Sequence, residues 1–223
     1  MTTFRHTFGS ALFAACILAS SLHAQVLSLG IGSVGNDGTL SEQVSPLYSE
    51  RQRGFQFAVA NDFSIAGLAV FDLGSDGWTG SPTATVSLWS ENSLTEPVLT
   101  LEIAADAPLF GSSTDFAGYG QFRTATLGTP LSLLAGTYRV TADMSDIATP
   151  GVNDFIVLPT AQTITTASGV SVLGAINGTT LRTDRHAFLG GNVLFSVIPE
   201  PSTYALVFAG LVGAVAVWKR RRR

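Results

Sequence analysis

From Phe55 to Val197 the chain is a series of short apolar runs, several alternating with polar positions, broken by turn-forming residues. Phe55-Gln56-Phe57-Ala58-Val59 alternates, and Thr83–Trp89 alternates again. There Ala84, Val86 and Leu88 fall on one face, and Thr83, Thr85, Ser87 and Trp89 on the other. A period of two places successive side chains on opposite faces of a strand. Ile65–Phe71 is instead a continuous apolar run, ended by the turn-rich Asp72-Leu73-Gly74-Ser75-Asp76-Gly77. Further β-branched or aromatic runs predict strands at Val98–Ile103, Gln121–Leu127, Leu131–Leu134, Tyr138–Ala142, Asp154–Leu158, Thr163–Thr166, Val170–Leu173 and Val193–Val197. Within this body nothing sustains a helical period. The expected fold is all-β: a single antiparallel β-sandwich, jelly-roll-like, over residues 25–197. Residues 33–50 read as a loose N-terminal segment. In Leu134-Ala135-Gly136-Thr137-Tyr138, Gly136 is expected to make a turn and Tyr138 to re-enter the core.

The two ends break this pattern. Arg5 and His6 precede the apolar run Phe8–Leu22, and Leu22-His23-Ala24 brings a small residue before Gln25. Residues 1–24 are therefore expected to be a signal peptide with a helical apolar core, handled by the secretion translocon and signal peptidase. Phe13-Ala14-Ala15-Cys16 loosely resembles a lipobox, but apolar residues continue after Cys16, whereas lipidation belongs at the end of such a run. At the other end, residues 198–223 hold three parts in order. Pro199, Glu200, Pro201 and Ser202 come first; the two prolines hold Ile198 and Glu200 out of helical geometry. Residues 203–218 follow without a charge and predict a transmembrane helix of ~24 Å at 1.5 Å per residue, short of a ~30 Å hydrocarbon core. Tyr204 and Trp218 suit the two interfaces, and Ala205, Ala209 and Gly213 leave one face open to a close-packed helix. Lys219, Arg220, Arg221, Arg222 and Arg223 form a basic stop-transfer segment that keeps its end cytoplasmic and the body outside.

Pro199-Glu200-Pro201-Ser202, the apolar helix and the terminal arginines resemble the PEP-CTERM sorting signal of Gram-negative bacteria. The likeness covers only about the last 25 residues. It implies an exported protein, anchored first in the inner membrane and then processed by an exosortase, a membrane protease that cuts near Pro-Glu-Pro. Its final place is then the cell surface or the extracellular medium, in a setting of exopolysaccharide and biofilm. Stretches of Gly54–Met144, including "GFQFAV", "TVSLWSEN" and "LAGTYRVTA", also resemble sandwich modules of anchored exoproteins and carbohydrate-associated domains. No activity comes with that second likeness.

Charge and composition narrow the function further. Residues 25–198 carry six arginines and no lysine against fifteen acidic residues, a net of −9. Such a body is a poor partner for nucleic acid. The single cysteine, Cys16, lies in the signal peptide, so the body has no disulfide, thiolate metal site or cysteine nucleophile. His186 is its one histidine; Ser168 or Ser171 can be drawn as triad partners, but no Gly-x-Ser-x-Gly elbow is present. A polar loop between strands is the plainer reading of Thr183-Asp184-Arg185-His186. Asp72 and Asp76 flank a glycine turn and are weak calcium candidates, below the ligand density of an EF-hand. Asp72, Glu91, Glu102 or Asp115 can be drawn as glycosidase pairs, as in any acidic β-protein. Trp78 and Trp89 are candidate sugar-stacking residues, against the alternative of loop closure and core packing. The expectation is a non-enzymatic surface or matrix protein with no required cofactor; a carbohydrate-binding module is the alternative, and a secreted hydrolase the least favoured.

Overall fold

The computed structural model describes residues 26–35, 41–42, 52–78, 82–143, 156–160 and 162–197. Residues 1–24 and 198–223, and with them the expected signal helix, sorting motif, transmembrane helix and basic segment, lie outside the described residues. Leu27–Val197 forms one compact unit. Among the described residues no helix is long and apolar enough to cross a membrane.

The described residues are almost entirely strand. In chain order these are β1 (Val26–Leu29), β2 (Ile31–Val34), β3 (Ser41–Glu42), β4 (Gln52–Val59), β5 (Phe63–Leu73), β6 (Thr83–Ser90), β7 (Leu99–Ala104) and β8 (Leu109–Phe110). After a 3-10 turn at Ser113–Phe116 come β9 (Gly120–Leu133), β10 (Gly136–Asp143), β11 (Ile156–Pro159) and β12 (Ile164–Thr166). The last four are β13 (Val170–Asn177), β14 (Thr180–Arg182), β15 (Arg185–Leu189) and β16 (Gly191–Val197). Two sheets dominate: a six-stranded one in the order β14-β13-β4-β10-β6-β7, and a five-stranded one in the order β1-β16-β5-β9-β8. Smaller sheets join β15-β11-β3 and β12-β2. The chain passes directly from one large sheet to the other between β4 and β5, β5 and β6, β7 and β8, and β9 and β10.

The two large sheets meet through aromatic side chains. Phe57 of β4 sets its ring edge-on to Phe195 of β16, 6.0 Å between centroids, and Phe63 of β5 does the same to Tyr138 of β10 at 5.3 Å. Strand β4 alternates because Phe55, Phe57 and Val59 point into this layer. Strand β5 is apolar from Ile65 to Phe71 because it is central and buried from Ser64 to Asp72. The cluster of Phe71 and Phe122 with Phe116 from the 3-10 turn accounts for part of that burial. Burial on both faces replaces alternation with a continuous run.

Several boundaries differ from the sequence reading. Gln121–Leu127 and Leu131–Leu134 are parts of one long strand, β9, paired with β5 across a register shift between Ile65 and Gly67. At that shift the backbones approach so closely that a Cβ on Gly67 would stand 2.1 Å from the Ala125 carbonyl oxygen. The segment 33–50, read as loose, contributes the end of β2 and all of β3. Arg185 and His186 open β15 and are not a loop. At the corner before β10, Tyr138 is buried as expected and its hydroxyl donates to the Leu134 carbonyl at 2.9 Å, but Gly136, expected to make the turn, already opens β10 opposite Val59.

Candidate functional site

The two aspartates of the glycine turn take different places. Asp76 is exposed, whereas Asp72, at the end of β5, is fully buried. The Asp72 carboxylate accepts from Arg123 Nε at 2.6 Å and from the Gly77 amide at 3.0 and 3.2 Å. Arg123 extends the clamp by donating to the carbonyls of Ala107 at 2.8 Å and Ser75 at 3.4 Å. Burial raises the Asp72 pKa above the ordinary aspartate value, while the Gly77 and Arg123 donors pull it back down. A carboxylate committed to an internal guanidinium is not free to hold calcium. No group of three or more His, Cys, Asp or Glu side chains suited to a metal occurs among the described residues. The pair closes the 74–77 turn onto the β7–β8 connection.

The two tryptophans also separate. Trp78 is 6% exposed and belongs to the core, so its ring is not offered to a ligand at the surface. Trp89 of β6 is half-buried and lies on the outer, polar face of the six-stranded sheet, away from the aromatic layer. Antiparallel register sets Gln56, Arg139 and Trp89 in one row across β4, β10 and β6. The next row holds Gly54, Thr141, Ser87 and Thr100.

Side chains link these rows. Trp89 Nε1 donates to Thr141 Oγ1 at 3.3 Å, and the Thr141 hydroxyl donates to Gln52 Oε1 at 3.4 Å. Arg139 Nε donates to Glu91 Oε1 at 2.5 Å and Arg139 Nη1 to the Thr179 carbonyl at 3.3 Å. Burial alone would raise the Glu91 pKa; the Arg139 and Gln56 donors outweigh it and hold the carboxyl below its ordinary value. Ser87 and Thr100 share a hydroxyl contact at 3.0 Å. Thr141, Ser87 and Gln56 are buried although they stand on the outer face. The alternation of β6 revealed which face Trp89 takes; its partners come from strands far off in sequence, which no local pattern shows.

The residues drawn into catalytic sets stand in different settings. His186 is half-buried on β15, Ser168 and Ser171 are exposed, and no hydrogen bond joins the histidine to either serine. Asp115 accepts from the Ser112 amide at 2.8 Å in a local cap of the 3-10 turn. Glu102 is exposed on the edge strand β7.

Residues 197–223 match the family model of the PEP-CTERM protein-sorting motif. No curated protein matches the chain. The chain therefore carries the signal that its last residues resemble, and that signal supports an exported protein sorted by an exosortase.

Proposed function

We propose that this chain is a non-enzymatic surface or extracellular-matrix protein, delivered through its C-terminal sorting signal and working beside exopolysaccharide. The observation that carries the reading is the sorting motif at 197–223, which starts at the last residue of β16. In this reading residues 1–24 are removed on export, and residues 203–218 hold the precursor in the inner membrane. An exosortase then acts near Pro199-Glu200-Pro201. The part left outside is the β body, a sandwich of jelly-roll type. Three of the acids drawn as catalytic candidates serve structure: Asp72 clamps a turn, Glu91 pairs with Arg139, and Asp115 caps a 3-10 turn. That distribution supports a scaffold over a hydrolase, whose acid and base must face a shared substrate.

The test is the mass and location of the mature protein. Wild type is expected outside the inner membrane and to lack residues 203–223. Glu200→Ala, or deletion of Lys219–Arg223, is expected to leave full-length precursor in the inner membrane. Normal processing of both variants would overturn the sorting reading. Turnover of a polysaccharide by the purified protein, lost on replacing one carboxylate, would overturn the non-enzymatic one.

A further inference from the structure

The outer face of the six-stranded sheet has a structure that the sorting function does not use. On it stands Trp89, near the end of β6, and the direction of that side chain is fixed. Thr141 stands one row away, on the neighbouring strand. For Nε1 to reach its hydroxyl at 3.3 Å, the indole must lie along the sheet and not stand upright from it. Thr141, only 1% exposed, and Ser87, 8% exposed, belong to that next row, in keeping with an indole laid over it. A flat, partly exposed indole held by its own hydrogen bond is pre-organised for stacking, and its immobilisation entropy is already spent in folding.

The surroundings define the ligand. The exposed Thr100, one row from the ring on the adjacent strand β7, and Glu102, two rows away, offer a hydroxyl and a carboxylate on a fixed strand. A pyranose matches this pairing, with an apolar C–H face for the indole and hydroxyls around its edge. The charges decide between kinds of glycan. Arg139 is neutralised by Glu91, Arg123 by Asp72, and Arg182 and Arg185 lie against Asp184. Arg53 is buried over the Phe188 ring. Arg182 and Arg185, both part-exposed, share that one aspartate, Asp184, and the body as a whole carries a net of −9. An anionic polymer would meet the net repulsion of this body, whereas a neutral one would not.

We propose that this face binds an extended, neutral polysaccharide, with Trp89 as the stacking platform. The proposal rests on the matrix reading above and gives it a ligand class and a site.

The experiment is calorimetric titration of the full chain in detergent with a soluble β-glucan, a galactomannan and a xylan, and with alginate as the anionic arm. At least one neutral polymer is expected to bind, and alginate is not. Trp89→Ala is expected to weaken binding about tenfold or more, corresponding to ~1.4 kcal/mol. Trp89→Phe should retain most of the affinity. Leu134→Ser, on a corner 72% exposed and outside the paired rows of this face, should leave it unchanged. If Trp89→Ala fails to fold, Thr100→Arg decides: a long charged side chain on the exposed edge of the face should block the polymer. Binding by no neutral polymer, by alginate alone, or undiminished in a folded Trp89→Ala or Thr100→Arg protein would overturn the proposal. Sorting is scored separately, from the mature mass. Loss of binding with normal processing refutes this inference alone, and binding with failed sorting refutes the other.

Discussion

Asp72 takes its role from Arg123, a residue 51 positions away in the chain. Read locally, an aspartate beside Gly74 and Gly77 suits a calcium loop. In the fold it is a buried anion whose counter-ion arrives from β9. The two are opposite halves of one clamp, and their energetics are coupled accordingly. Arg123→Met is expected to cost about 3–5 kcal/mol, because it leaves a buried carboxylate without its cation. Adding Asp72→Asn should recover part of that loss, since the amide oxygen can still accept from Gly77 and no charge remains buried. Urea denaturation of both singles and the double checks this. Strictly additive losses would show that the pair is not coupled. Trp78 and Trp89 make the same point. The body offers two tryptophans, and only the tertiary environment separates a core ring from a surface one.

The strands legible in the sequence were those with strong local signals. Strands β4 and β6 alternate because each has one face in the aromatic layer and one polar face. Strand β5 is continuously apolar because it is buried on both. Short or polar strands such as β3 and β14 carried no such signal, because their pairing comes from neighbours and not from their own composition. The interruption at Gly128-Thr129-Pro130 made β9 look like two strands, since a run of turn-forming residues is locally indistinguishable from a loop. Glycines within this long pairing are not equivalent. A Cβ at Gly67 would meet the Ala125 carbonyl oxygen at 2.1 Å, whereas at Gly128 nothing lies within 4 Å. Gly67→Ala is therefore expected to cost about 1–3 kcal/mol through forced separation of β5 from β9. Gly128→Ala should fall within about 0.5 kcal/mol of wild type. Thermal melts of the two variants compare them directly, and equal melting points would contradict the close approach assigned to the register shift.

At the scale of the whole molecule, the tail was legible because a short linear signal carries its meaning in residue order, whereas the body's surface had to be folded before its face could be seen. Net charge links the two scales. A body of net −9 sheds self-repulsion as its carboxylates protonate, so acid alone does not set the sign of its stability change. Two shifted carboxyls act in opposite directions. Asp72 has a folded pKa above 3.8, so the folded state takes up its proton before the unfolded chain does, and its burial penalty eases as pH falls. Glu91 has a folded pKa below its ordinary 4.5, so its contribution is fully present above that value and is lost as pH drops through the folded pKa. Glu91→Gln should therefore be less stable than wild type at pH 7, with the gap narrowing once pH falls below about 4.5. Denaturant midpoints of the two proteins at pH 7 and pH 3.5 measure that gap. A gap that widens in acid would mean that the Arg139–Glu91 pair does not help to hold the polar face together.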